Sequence, residues 1–175
     1  MAEALGPALP PELDRLGEAV LSRACARQLK LVTAESCTGG LLASLLTDVP
    51  DMSHAFERGL VTYTDEAKQE MLGAPLAILD GPGAVSKACA MAMAEGALAH
   101  ARGDIAVSIT GYAETGPEQP AGLVHFACAA TGKPTTHRVM LYGDVGRAEV
   151  RLRALETGLG MLMDQMLQSP SAHAA

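Results

Sequence analysis

Lys30-Leu31-Val32-Thr33-Ala34-Glu35-Ser36-Cys37-Thr38-Gly39-Gly40-Leu41-Leu42-Ala43-Ser44-Leu45-Leu46 is the stretch that sets the fold of this 175-residue chain. Residues 30–34 form a short apolar run that reads as a buried strand, and residues 41–46 supply the apolar body of a helix. At the seam stand a Ser, a Cys and a Thr, followed by two glycines. Without Cβ atoms, Gly39 and Gly40 let main-chain N–H groups approach an anion or a developing oxyanion, and the positive end of the helix dipole adds to the attraction. Ser36 would lie beside those donors, which makes the seam a candidate nucleophile site. The plainer alternative is a turn whose glycines serve packing alone.

Working outward, a helix is predicted over Pro11–Arg27, with Leu13, Leu16, Val20 and Ala24 on one face. A strand from Phe56 to Tyr63 leads into a short helix, Asp65–Leu72, capped by Thr64 or Asp65 and ended by Gly73, after which Pro75 breaks the pattern. Ser86–Arg102 reads as a helix ended by Gly103, with a small-residue face (Ala88, Ala92, Gly96, Ala99) suited to a sheet. Then follow a buried strand over Asp104–Thr110, a loop over Gly111–Pro120 and a hairpin of Gly122–Ala129 with Thr135–Tyr142. Leu152, Leu155, Leu159, Leu162 and Met166 mark a last helix. Strands interleaved with helices, plus one hairpin, predict an α/β fold: a single three-layer α/β/α domain around a mixed, mainly parallel sheet. It would occupy residues 12–168, between a frayed segment, 1–11, and a flexible tail, 169–175.

Hydrophobic residues make up 49% of the chain and charged ones 19%, enough for one sizeable core. A net charge of −7 argues against a nucleic-acid surface, which needs clustered Lys and Arg. Cys25, Cys37, Cys89 and Cys128 have neither paired nor metal-ligand spacing, and no basic segment followed by an apolar run opens the chain. A reduced, cytoplasmic protein with no membrane span is the expectation. Cys25, Cys89 and Cys128 read as buried thiols, whereas Cys37 stays open as a second possible nucleophile. The five histidines show no metal-ligand spacing. The apolar last helix leaves a homodimer or higher homo-oligomer open.

A second element is Gly59-Leu60-Val61-Thr62-Tyr63-Thr64-Asp65-Glu66-Ala67-Lys68, where a strand gives way to a helix with Lys68 at about the end of its first turn. With Ala34–Gly40, Gly83-Ala84-Val85-Ser86, Ile109-Thr110-Gly111, Gly143-Asp144 and Val150-Arg151, it resembles the CinA carboxy-terminal domain family, whose stand-alone members are nicotinamide-nucleotide amidases. The resemblance runs from about Leu13 to Met166. It implies Ser36 as nucleophile, Lys68 as its general base and Tyr63 assisting. The implied reaction is hydrolysis of the carboxamide of nicotinamide mononucleotide, a small-molecule substrate, to nicotinic acid mononucleotide and ammonia, with no cofactor and no metal.

In that reaction Ser36 attacks the amide carbon and N–H groups around Cys37, Thr38, Gly39 and Gly40 stabilise the oxyanion. Lys68 acts as a base only when neutral, a form favoured by burial and by the start of a helix, and opposed by Asp65 or Glu66 if they turn inward. Tyr63 has three open roles: a hydrogen bond to Ser36, one to Lys68, or packing on the substrate ring. Thr110 and Gly111, at the end of a buried strand, are further pocket residues. Arg147, with Arg151 a turn later, is a candidate phosphate fork, with a surface arginine as the alternative. The segment Tyr112–Pro120 departs from the family pattern: it is shorter, poorer in glycine and carries Glu114 and Glu118. A catalytically silent nucleotide-binding member of the same fold is therefore the competing reading.

Overall fold

The computed structural model describes residues 9–116 and 119–168. Its elements are α1 (Pro11–Ala26), β1 (Leu31–Glu35), α2 (Leu41–Thr47), β2 (Phe56–Val61), α3 (Asp65–Leu72), α4 (Leu76–Leu79), α5 (Lys87–Ala99), β3 (Ile105–Gly111), β4 (Leu123–Ala130), β5 (Thr136–Leu141) and α6 (Arg147–Leu167). One 3₁₀ turn, Ser53–Ala55, precedes β2. The sheet order is β2-β1-β3-β4-β5. β1 is parallel to both β2 and β3, while β4 runs against β3 and β5. Four strands thus share one direction, and the mixed three-layer α/β/α architecture is as expected.

β1 is buried along its whole length, as a central strand covered on both faces must be. Alternation sends Leu31 into a core with α1, α2, α6 and the Ile105, Val107, Ile109 and Phe126 side chains. Val32 and Ala34 face the other layer, against Leu72, Leu79, Cys89, Met93 and Ala97. The start of α3 is set by Thr64, whose hydroxyl oxygen accepts from the Ala67 N–H at 3.1 Å. Its end is Gly73, as expected.

Several boundaries and faces differ from expectation. β2 stops at Val61, so Tyr63 lies in the connection to α3. Pro75 does not merely break the pattern; it caps the one-turn α4. α5 ends at Ala99 with His100 as its cap, and Gly103 lies beyond it in the approach to β3. The small-residue stripe of α5 does not face the sheet, because Cys89, Ala90, Met93, Ala94 and Ala97 do. Ala88, Ala92, Gly96 and Ala99 instead turn toward α3 and α4 and line a groove there. In α6, Leu155, Leu159, Leu162 and Met166 are all buried in the core, so the apolar face that left a homo-oligomer open is used within the chain. The expected loose ends lie almost wholly outside the described residues, although Pro11 is already helical. Among the described residues no helix is long and apolar enough to cross a membrane.

The end of α3 meets α5 at Gly96, where a Cβ atom would come within 1.9 Å of the Leu72 carbonyl oxygen. Gly96→Ala must push the two helices apart. The expected loss is about 3 kcal/mol, the upper end for overpacking, lowering Tm by roughly 6–12 °C in a domain of this size; calorimetry that finds an unchanged Tm removes this contact from the packing account. A second expectation concerns His125 and His137, whose ring nitrogens meet at 3.0 Å across β4 and β5. Burial holds both pKa values below the ordinary imidazole value, and for His137 the neighbouring His125 and Lys87 add to it. The unfolded chain then binds more protons than the native one below about pH 6.5, so stability falls as pH drops through that window. Replacing His137 by Gln should flatten the fall, as read from denaturation midpoints between pH 7 and pH 5.

Candidate functional site

Because β1, β2 and β3 are parallel neighbours, the segments leaving their carboxyl ends emerge at one edge of the sheet. β1 lies where the chain switches from one side of the sheet to the other, the usual place for a ligand crevice. A cavity of about 270 Å³ opens there. Ser36 and Cys37 come from the end of β1, Tyr63 and Lys68 from the end of β2 and from α3, Thr110 and Gly111 from the end of β3. Arg147, the first residue of α6, closes one side.

Within the cavity the Lys68 ammonium nitrogen lies 3.3 Å from the Ser36 Oγ. Lys68 is 1% exposed, an unusual place for a lysine. Its nitrogen also meets the carbonyl oxygens of Tyr63 at 3.1 Å and Thr64 at 3.5 Å. Asp65 lies 3.9 Å away and is half exposed. Of the two carboxylates weighed from sequence, Asp65 is therefore the one facing the lysine. Glu66 is exposed, and its own N–H and the Thr64 hydroxyl hold its carboxyl below the usual range.

Cys37 lines the same cavity, but burial, with the Glu35 charge also acting upward, pushes its thiol up to about 11. Little thiolate exists at neutral pH under those conditions. Tyr63 meets Lys68 through its carbonyl rather than its hydroxyl, and its side chain lies against Arg147. Thr110 donates its hydroxyl to the Ala84 carbonyl at 2.7 Å, tying the end of β3 to the segment before α5. Arg147 pairs with Glu114 at 3.0 Å, in an ion pair open to solvent. Tyr63 first, and then Glu114, hold its pKa above the ordinary arginine value. Glu118 lies outside the described residues.

The seam itself differs from the expected anion cradle. Thr38, Gly39 and Gly40 do not line the cavity. The Gly40, Leu42 and Ala43 N–H groups at the start of α2 all donate to the Glu35 carboxylate, at 3.1, 3.1 and 2.8 Å. The Gly39 N–H donates to the Ser36 carbonyl at 3.0 Å. The two glycines are needed for their left-handed backbone, φ 62° and 93°, which turns the chain from β1 into α2. Among the described residues the N–H groups of Cys37 and Thr38 meet no acceptor from another residue, and of the two only Cys37 lines the cavity. Arg151 reaches the turn from α6 and donates to the Thr38 carbonyl at 2.7 Å instead of extending the Arg147 fork.

Glu35, Ala84, Val85, Tyr112 and Ala113 were not singled out as site residues from the sequence. Ala84 and Val85 carried a signal, since they lie in one of the family-like stretches, and both line the cavity with Tyr112 and Ala113. Glu35 carried one as well: a carboxylate just before a helix start is a natural partner for unpaired N–H groups. Among the described residues no group of three or more His, Cys, Asp or Glu is placed to hold a metal ion.

Comparison with known proteins places this geometry in a family. The nicotinamide-nucleotide amidohydrolase PncC of Escherichia coli K12 is 45% identical over 164 residues, covering 90% of this chain and 97% of that protein. A CinA-like protein of Akkermansia muciniphila is 44% identical over 165 residues, and there this chain spans only 40% of the relative's length. The crystal structure of competence/damage inducible protein CihA from Agrobacterium tumefaciens superposes with a TM-score of 0.87 at 42% identity, covering 91% of this chain and 98% of that one. The family model of the CinA C-terminal domain matches residues 13–166, from the first turn of α1 almost to the end of α6, and the chain belongs to that family.

Proposed function

We propose that this chain is an amidohydrolase acting on the carboxamide of nicotinamide mononucleotide, with Ser36 as nucleophile and Lys68 as general base. The observation that carries the reading is the buried Lys68 nitrogen 3.3 Å from the Ser36 hydroxyl in the wall of a cavity. The E. coli relative named as a nicotinamide-nucleotide amidohydrolase, similar over nearly its whole length, supports the substrate.

Neutral Lys68 takes the hydroxyl proton as Ser36 Oγ attacks the amide carbon. Negative charge developing on the amide oxygen is met by the N–H group of Cys37, which lines the cavity. The lysine returns the proton to the leaving nitrogen, ammonia departs, and water activated by the same lysine cleaves the acyl-enzyme. Arg147 at the cavity edge is the cation for the substrate phosphate, with Tyr63 beside it. The second reading, a nucleotide-binding protein without turnover, needs the same cation for the phosphate, which Glu114 holds here.

An ammonia-release assay with nicotinamide mononucleotide, run beside nicotinamide and its riboside, separates the two. Turnover of the mononucleotide is expected, and its absence with binding retained establishes the silent protein. Ser36→Ala should lower kcat by about 10³-fold or more, whereas Cys37→Ala, which removes a thiol held protonated, should keep most of the rate; the reverse pattern transfers the nucleophile to Cys37. Lys68→Arg should be inactive because a guanidinium does not give up its proton, and an active variant excludes Lys68 as the base.

Glu114→Gln frees Arg147 for the phosphate. The pair is solvent-exposed and worth at most about 1 kcal/mol, so KM for the mononucleotide should fall by up to about fivefold with kcat unchanged. The gain should shrink with added salt. An equal gain with the uncharged riboside assigns the effect to something other than the phosphate.

A further inference from the structure

The reaction above leaves Glu35 unused, yet the structure builds the nucleophile's turn around it. Glu35 is 1% exposed. Oε2 accepts from the Gly40 and Leu42 N–H groups, each at 3.1 Å. Oε1 accepts from the Ala43 N–H at 2.8 Å and from the Thr33 hydroxyl at 3.4 Å. Residues 36–39 arch between the backbone of Glu35 and the residues its side chain holds. The arch is fixed from outside as well, since Ser36 N–H donates to the Ile109 carbonyl at 2.9 Å and Arg151 holds the Thr38 carbonyl. Strand alternation gives the two neighbours opposite faces: Glu35 turns toward α2 and Ser36 toward Lys68 on α3.

We propose that Glu35 is a positioning residue: by binding the start of α2 it holds the arch in the one shape that presents the Ser36 hydroxyl to Lys68 and leaves the Cys37 N–H, which meets no acceptor from another residue, available for the oxyanion. This rests on Ser36 being the nucleophile. A carboxylate is required because its partners here are all donors. Gln would accept on one side and set its NH₂ against N–H groups on the other, losing bonds and adding a donor–donor clash. Asp keeps the charge but, one methylene shorter, cannot reach Gly40, Leu42 and Ala43 together.

The test compares Glu35→Gln and Glu35→Asp with the parent chain, with Ser36→Ala and with Val20→Ala, a buried α1 substitution away from the cavity that lowers stability only. Ammonia release from nicotinamide mononucleotide gives kcat and KM, each variant being assayed the same margin below its own Tm. A phosphonofluoridate probe, followed by mass spectrometry of the Ser36 peptide, gives nucleophile reactivity without substrate. For Glu35→Gln, kcat should fall about 100-fold or more, the size of losing an oxyanion donor, with KM within about threefold. Probe labelling should slow in parallel, Glu35→Asp should fall between, and Val20→Ala should match the parent. The proposal is overturned if Glu35→Gln keeps kcat within about threefold of the parent while Ser36→Ala is inactive, or if Val20→Ala loses as much kcat as Glu35→Gln does. Should Glu35→Gln not fold, Glu35→Asp decides: parental kcat and labelling overturn the proposal, and loss of both at unchanged KM supports it. If Ser36→Ala keeps turnover, the nucleophile reading itself has failed, and the positioning role fails with it.

Discussion

The pairing of β1 between two strands that run in its own direction governs the rest of the molecule. Parallel neighbours require crossover connections, so helices must cover both faces, and the three loops leaving the carboxyl ends of β1, β2 and β3 must share one edge. Ser36, Lys68 and Thr110 are far apart in the chain and become neighbours only through this register. β4 and β5 extend the sheet by a hairpin; the loop between β3 and β4 brings Tyr112, Ala113 and Glu114 over the cavity, and the segment leaving β5 brings Arg147 to its side.

Basic side chains gather at this edge of the sheet. The chain carries −7 overall, yet the groups at this edge include a buried lysine and two arginines, each held by oxygen atoms of the chain itself. Lys68 is surrounded by carbonyls, Arg151 by the Thr38 carbonyl, and Arg147 by Glu114. A buried cation without such partners would cost several kcal/mol. The three are not equivalent. Lys68 and Arg151 are tied to main-chain oxygens that cannot be displaced without unfolding the turn, whereas the Arg147 partner is a solvent-exposed carboxylate that an anionic ligand can replace. Rigidly held basic groups thus stand beside the reacting centre and an exchangeable cation at the rim.

Much of this was legible in the sequence because it is encoded by neighbours along the chain. The short apolar run before Ser36, the Thr64 cap and Gly73 stop of α3, and the three-and-four spacing in α6 each reflect local geometry, and each element lies where its residues place it. The family-like stretches marked Ser36, Lys68, Tyr63, Thr110 and Gly111, and the cavity gathers all five together with Arg147. Local pattern also had limits. The stripe Ala88, Ala92, Gly96 and Ala99 has helical spacing, but spacing alone does not say which neighbour requires small residues, and here it is α3 rather than the sheet.

What the sequence by itself determined is the set of elements, their order and the chemical types at the seam, since propensity, capping and side-chain period act over a few residues. The tertiary structure alone decided which donor goes to which acceptor. Gly40 read as part of an anion site until Glu35 folds onto it, and Thr38 read as a substrate contact, yet it lies off the cavity with its carbonyl taken by Arg151, 113 residues away. Arg147 read as a free fork until the turn of the 112–116 segment set Glu114 against it. A hydrogen-bonding group has only a few partners to give. Which ones it meets depends on strand register and helix placement, and these are settled by burial of the whole core rather than by any one stretch of chain.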